Sequence, residues 1–311
     1  MKHLFLFFAF AFGACTMSYA QQSANTQPSA VYAVDMQPAD SLLIANILQQ
    51  APRSVLEIAR QFVGRPYVAH TLEVNDDERL VVNTRQFDCT TFVETVTALA
   101  ICIKDGKKRV SDYTDMLCRL RYRQGVLQGY ESRLHYFTDW IVDKQQMGLV
   151  TELQAPNPPF TALQTVRVNY MSRHPQNYKA LKNNPSLVPQ IRQQEEQLTG
   201  LQFRYIPKAV VKNYALLRKT IQDGDIIAIT CSKYGLDIAH LGFAVWRNGR
   251  LHLLNASQLH HQVIEEPMPL HQYLSKHPSH TGIRIIRMNW KPVPAVFSSS
   301  LRQLRGKRLQ K

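Results

Sequence analysis

Cysteine is scarce in this chain, with five in 311 residues, at positions 15, 89, 102, 118 and 231. No two stand close enough together to suggest a zinc site. Cys89 and Cys102 cannot bridge if they share one helix, because thirteen residues at ~1.5 Å each hold them ~20 Å apart. Acids are in short supply too, 23 against 37 lysines and arginines, for a formal charge of +14. That balance suits an anionic partner such as nucleic acid, anionic lipid or an acidic polymer, or serves solubility alone. No internal repeat is present. Beyond the N-terminal segment, no stretch reaches the ~18 uninterrupted apolar residues of a membrane-spanning helix.

The remaining composition is ordinary for a globular protein, 45% hydrophobic and 19% charged. It can bury a core in one large domain or two smaller ones. The N-terminus reads as a secretory signal over residues 1–20. Met1-Lys2-His3 is a short basic start, Leu4 to Ala14 is almost wholly apolar, and Ser18-Tyr19-Ala20 places small residues where a signal peptidase reads. Phe12-Gly13-Ala14-Cys15 is a poor lipobox, so membrane attachment is expected only if Cys15 is lipidated. Export makes nucleic acid an unsuitable partner and favours an envelope polymer. An oxidising compartment also invites disulfides among the four cysteines left after cleavage. Cys102 and Cys118, however, read as small core residues.

Residues 21–50 read as a polar leader, flexible to about residue 40, followed by a helix. Helical spacing covers 41–48 and 55–62, split by Pro52. Gly64-Arg65-Pro66-Tyr67 reads as a tight turn, and 72–87 holds β-prone alternation. Cys89 to Lys104 carries the clearest helical pattern, with apolar residues three and four apart. Asp88 is placed to cap it, with Thr91 and Glu94 as a capping box one turn in. Residues 105–220 are mixed and more helical, and read as an insertion or cap within a catalytic domain spanning 51–295. From Asp223 the chain turns to strands, at 226–230, 239–246, 251–255 and 282–288. Asn248-Gly249 gives the best hairpin signal. Residues 296–311 form a basic tail. The fold class expected is α+β, a helix packed on an antiparallel sheet.

The chemistry-bearing residues are Cys89 and His240. A thiol in the first turn of a helix meets the macrodipole and unpaired amides, which favour thiolate. The backbone amide of Cys89 is also placed to bind an oxyanion. His240 lies in an apolar run, where a satisfied core histidine is the plain alternative. Gly242 tilts the reading toward a site, since a strand glycine permits close approach. The next strand offers His252 and Asn255, and an asparagine there can fix the imidazole tautomer. Ala256 and Ser257 are small and suit a crowded site. His260-His261 sits in a polar loop, with no shared-face spacing to a carboxylate that would suggest metal.

Gly64-Arg65-Pro66-Tyr67, Asp88-Cys89-Thr90-Thr91-Phe92-Val93 and His240-Leu241-Gly242-Phe243, in that order, resemble the NlpC-type papain-like cysteine peptidases of bacterial cell walls. More narrowly, Arg133-Leu134-His135-Tyr136-Phe137-Thr138-Asp139-Trp140 and Gly235-Leu236-Asp237-Ile238-Ala239-His240 are similar to the N-acetylmuramoyl-L-alanine amidase-like branch. The resemblance covers roughly residues 55–288. It implies a papain-like core and hydrolysis of the amide joining muramic acid to L-alanine in peptidoglycan or muropeptides, without a cofactor or metal. Cys89 would be nucleophile, His240 base and Asn255 the third member, a place that in the clan is often histidine. Tyr67 would lie beside the nucleophile. Asp88, Thr90, His135, Asp237 and Ser257 fall in or beside the matched motifs and are expected at the site. Arg133 could pair with a stem-peptide carboxylate, and Tyr136 and Trp140 could stack on sugar. An aromatic helix start packed on the core is the alternative for that block. A monomer is expected. Cleavage within the stem peptide, between D-Glu and the diamino acid, and non-catalytic wall binding are the competing readings.

Overall fold

The computed structural model describes residues 32–288. The signal segment 1–20, Cys15 and the basic tail 296–311 lie outside the described residues. In chain order, β1 (Val34–Met36), α1 (Pro38–Gln50), α2 (Val55–Arg60) and β2 (Leu80–Val82) precede α3 (Cys89–Lys104), α4 (Val110–Arg121) and α5 (Phe137–Gln146). Then come β3 (Val150–Leu153), β4 (Ala162–Thr165), α6 (Tyr170–Arg173), α7 (Lys179–Asn183), α8 (Val188–Leu198), β5 (Gln202–Pro207) and α9 (Tyr214–Leu217). The chain closes with β6 (Ile226–Cys231), β7 (Ile238–Arg247), β8 (Arg250–Ser257), β9 (Gln262–Glu265), α10 (Leu270–Ser275) and β10 (His280–Met288).

The main sheet runs β4-β5-β10-β6-β7-β8-β9, with β3 also on β10, and all its pairings are antiparallel. Its two faces follow from the period of two along each strand. On β6, Ile226 and Ala228 enter the core beneath α1 to α5, while Ile227 and Ile229 enter a second core with Leu270, Tyr273 and Leu274 of α10. The hairpin between β7 and β8 closes as its sequence requires. Asn248 (φ 49°) and Gly249 (φ 72°) both take the left-handed conformation of a type I′ turn.

α3 forms where its periodicity predicts. Asp88 Oδ1 accepts from the Thr91 amide at 2.7 Å and Thr91 Oγ1 accepts from the Asp88 amide at 3.0 Å, so the capping box lies at the helix start. The expected Thr91–Glu94 box is not made. Glu94 is buried and accepts from Arg121 Nε at 2.8 Å. Edge-to-face rings then fasten this helix to the sheet. Phe87 and Phe92 are 5.8 Å apart, and Phe92 lies 5.6 Å from Phe243 of β7.

Three expectations change. Part of the supposed leader is ordered, because Val34–Met36 pairs in parallel with Leu80–Val82 and α1 begins at Pro38. The β-prone stretch 72–87 yields only that short β2. Residues 105–220 are not one helical insertion, since α4 packs on α3 in the main core and β3, β4 and β5 join the sheet. The part that stands apart is smaller, a cluster around Val166, Val168, Met171, Leu181, Ile191 and Leu198.

Candidate active site

Cys89, the first residue of α3, and His240 line one cavity of about 170 Å³, together with Thr90, His135, Tyr136 and Asp237. The sulfur is held to the strand that carries His240, through a hydrogen bond with the backbone of Leu241. The thiol and the imidazole are not hydrogen-bonded to each other. His240 follows a bulge. Ile229 pairs with His240 and Thr230 with Ile238, so Ala239 is the extra residue, and such an insertion re-aims the side chain beside it.

The third group is in place. His240 Nε2 donates to Asn255 Oδ1 at 2.9 Å. A carbonyl oxygen only accepts, so Nε2 carries the proton and Nδ1 keeps its lone pair. The register explains the meeting. Phe243 pairs with Leu254, so Gly242 falls opposite Asn255, and His240 lies diagonally on the same face. Gly242 is needed there, since a Cβ at that position would sit 2.8 Å from the Leu254 oxygen.

Tyr67 also packs beside Cys89. The turn bearing it is stitched to the outer edge of the sheet, where the Gly64 amide donates to Val263 O and the Tyr67 amide to His261 O, both at 2.9 Å. Burial pushes the Tyr67 phenol up to about 12, with the neighbouring Cys89 and Asp88 adding to the effect, so it remains a hydrogen-bond donor.

The thiol departs from expectation. Burial pushes Cys89 up to about 12, and the charge of Asp88 adds to it. The Leu241 and Thr90 hydrogen bonds oppose the rise but do not overcome it. Burial also lowers His240, against the opposing Asn255 bond. The resting pair is therefore a neutral thiol and a neutral imidazole, not the thiolate that the helix start alone suggests. Removing a small anion from water outweighs half a unit charge of helix dipole.

Other expected site residues fall into place or out of it. Thr90 lines the cavity beside the sulfur. His135 lines it with Nε2 on Tyr130 O at 2.9 Å, and burial holds it down to about 3, so it is neutral. Tyr136 lines it by its ring, but its hydroxyl donates to Glu195 at 2.7 Å and anchors the α6–α8 cluster. Arg133 is not open to a substrate carboxylate. Nε donates to Glu78 at 3.0 Å and Nη1 to Glu73 at 2.6 Å, so the protein's own acids occupy the fork. Trp140 is fully buried and stacked on Phe137 at 4.8 Å, as a core residue. Asp237 accepts from the Thr138 amide at 2.7 Å and so caps α5 from across the fold. Ser257 is buried away from the cavity and its hydroxyl faces Glu266 at 3.5 Å. Met171, Tyr178 and Leu236 also line the cavity. Leu236 falls within the matched Gly235–His240 motif, whereas the surroundings of Met171 and Tyr178 carry no signal, because those two reach the site through tertiary packing. All four cysteines among the described residues are free thiols.

Comparison with known proteins gives this geometry a context. Residues 57–283 match the AmiA-like family, described as N-acetylmuramoyl-L-alanine amidase-like. A crystal structure of an N-acetylmuramoyl-L-alanine amidase from Bacteroides uniformis superposes with a TM-score of 0.71 at 38% identity, over 76% of this chain and 99% of that one. A Bacteroides fragilis structure described as that of a candidate xylanase is 42% identical, with a TM-score of 0.70 over 75% of this chain and 100% of that one. A Legionella pneumophila protein at 22% identity shares the fold, with a TM-score of 0.61 over 82% of this chain and 96% of that one. None of the curated proteins compared with the chain matches it.

Proposed function

The chain belongs to the N-acetylmuramoyl-L-alanine amidase-like family, and on that premise we propose that it is a cysteine amidase cutting the bond between muramic acid and L-alanine in peptidoglycan or its fragments. The observation that carries this reading is the meeting on one cavity of Cys89, at a helix start, with His240, whose imidazole Asn255 holds from behind. A helix bearing the thiol, packed on an antiparallel sheet bearing imidazole and amide, is the arrangement that papain-like NlpC-type enzymes use, and we place the core in that clan.

The steps follow from the proton positions. His240 Nδ1 takes the thiol proton as sulfur attacks the lactyl carbonyl, so the ion pair forms with the new bond rather than before it. The Cys89 amide and the Tyr67 hydroxyl hold the oxyanion. Collapse breaks the C–N bond, and His240 returns its proton to the departing alanine nitrogen. The acyl group is left as a thioester on Cys89. Water then gives a proton to His240 and attacks the thioester. The second collapse releases the muramic carboxyl group and restores the thiol. Asn255 holds the imidazole in the required tautomer throughout.

A glycosidase reading fits the cavity poorly. Glycoside hydrolysis uses two carboxyl groups across the scissile bond. Asp237 is the acid among the lining residues, and it is committed to the Thr138 amide. The N-terminal segment would carry the enzyme to the envelope as a monomer, where its positive charge suits the acidic wall. Mass spectrometry of products from a defined muropeptide tests the assignment. Release of the intact stem peptide beginning with L-Ala supports it, and N-acetylmuramoyl-L-Ala-D-Glu with a freed diamino acid end rejects it in favour of stem-peptide cleavage.

A further inference from the structure

A cavity of about 500 Å³ lies between α6 and α8 and shares no lining residue with the catalytic one. Its charged lining is balanced, with Arg173 and Arg192 against Glu195 and Glu196. Glu195 is the fixed part, at 1% exposure. Its Oε1 accepts from the Tyr136 hydroxyl at 2.7 Å, the Met171 amide at 3.0 Å and the Ser172 amide at 3.1 Å. Its Oε2 is buried without a hydrogen-bond partner. Three donors on one oxygen set the rotation of the carboxylate, so Oε2 is the oxygen left for the cavity that the residue lines. Tyr136 and Met171 in turn line the catalytic cavity, so this one carboxylate joins the two.

A buried carboxylate oxygen with no donor is costly, and a cationic donor relieves it best, through a charge-assisted hydrogen bond. The arginines ask for the opposite charge. Arg173 Cζ lies 5.7 Å from the centre of the Tyr234 ring, a contact made by the guanidinium face that leaves its N–H edge to donate. Among the described residues, neither Arg192 nor Glu196 has an ion-pair partner. A guanidinium takes a carboxylate by two parallel bonds. A ligand with an ammonium at one end and a carboxylate at the other satisfies both demands. The volume falls within the about 300–1,000 Å³ of small-molecule pockets and has room for a peptide of roughly two or three residues.

We propose that this cavity binds a short peptide with a free N-terminus, its ammonium at Glu195 and a carboxylate at Arg173 and Arg192. The site itself does not rest on the amidase reading, but that reading supplies the peptide. The amide nitrogen of a muramyl peptide is uncharged, whereas the alanine nitrogen it releases gains a proton. The cavity therefore takes the product and refuses the substrate.

Calorimetric titration of the protein with L-Ala-D-Glu-diamino acid, and with the same peptide acetylated at its N-terminus, tests this without turnover. Acetylation removes the ammonium and should weaken binding about tenfold or more. Glu195→Gln keeps an acceptor for Tyr136 and the two amides, and should bring the two peptides to equal affinity. Arg192→Gln should weaken the free peptide by a similar factor. Arg192 is exposed, so that variant carries little folding risk and decides the matter should Glu195→Gln fail to fold. It also locates the ligand, because a peptide held in the catalytic cavity would bind Arg192→Gln undiminished. Equal binding of the two peptides by the unaltered protein, no binding, or an affinity unchanged in Arg192→Gln overturns the proposal. L-Alanine binding as tightly as the tripeptide overturns the peptide assignment in favour of a free amino acid. The amidase reading fails separately, if no muramyl–alanine bond is cut while the peptide still binds.

Discussion

Buried polar groups of two kinds divide this molecule. In the scaffold two buried arginines are fully engaged with the protein's own acceptors. Arg284 is fully buried, with Nε on Glu152 Oε1 at 2.5 Å, Nη2 on Glu152 Oε2 at 3.0 Å and Nη1 on Thr138 at 2.7 Å. Arg121 meets Glu94 at 2.8 Å and the Val81 carbonyl at 2.6 Å. Around Cys89 the groups are neutral and incompletely partnered, with Asn255 Nδ2 and His280 Nδ1 both lacking hydrogen bonds. The two arginines are satisfied within the protein, whereas beside His240 the Asn255 amide nitrogen is buried without a partner, as are a few neutral scaffold atoms such as Thr97 Oγ1 and Trp140 Nε1. The same contrast removed Arg133 and Ser257 from the binding surface, because each is already engaged within the protein.

The contrast can be broken from either side. Cys89→Ala carries the largest expected effect. Turnover of a muramyl peptide should fall by about five orders of magnitude, while the melting temperature stays close to that of the unaltered protein. Unchanged peptide release would reject the nucleophile. Arg284→Met is the converse, leaving Glu152 buried without its partner. Chemical denaturation should show a loss of about 3–5 kcal/mol, and a loss below about 1 kcal/mol would mean that the scaffold pair is dispensable. Asn255→Ala lies between the two classes. It should lower kcat by up to about 10⁴-fold, as expected for a residue that orients the base and fixes its tautomer, and kcat equal to that of the unaltered enzyme would remove it from the triad.

The smallest effect concerns acid. His135 is held down to about 3 in the fold, whereas an unfolded histidine takes its proton near 6.5. The unfolded chain therefore binds the extra proton between those values, and stability falls as pH drops through that window. The slope from this residue approaches about 1.4 kcal/mol per pH unit. His135→Gln should flatten the pH dependence of the denaturation midpoint between about 6.5 and 3, and an unaltered slope would show that His135 does not carry it.

Sequence patterns made α3, the β7–β8 hairpin and the His240–Asn255 relation legible, because each depends on residues close in the chain. Helical spacing, a capping aspartate and an Asn-Gly turn are local signals. What stayed hidden depends on distant partners. Nothing near Arg133 announces that Glu73 and Glu78 will claim its guanidinium. Nothing near Asp237 announces that it will cap a helix whose amide lies 99 residues away. The state of the thiol was misread for the same reason. The helix start is visible in the sequence, but the desolvation that overrides it comes from packing.

The aspartate that opens α3 has one more consequence. Its charge, one residue before the thiol, adds to the burial that keeps the sulfur protonated, so the residue that positions the sulfur also quiets it. Oxidants and stray electrophiles react with the anion, so a thiol held neutral is spared until its proton is drawn away. Long service life and chemical reactivity, usually opposed in a cysteine, are thereby separated in time.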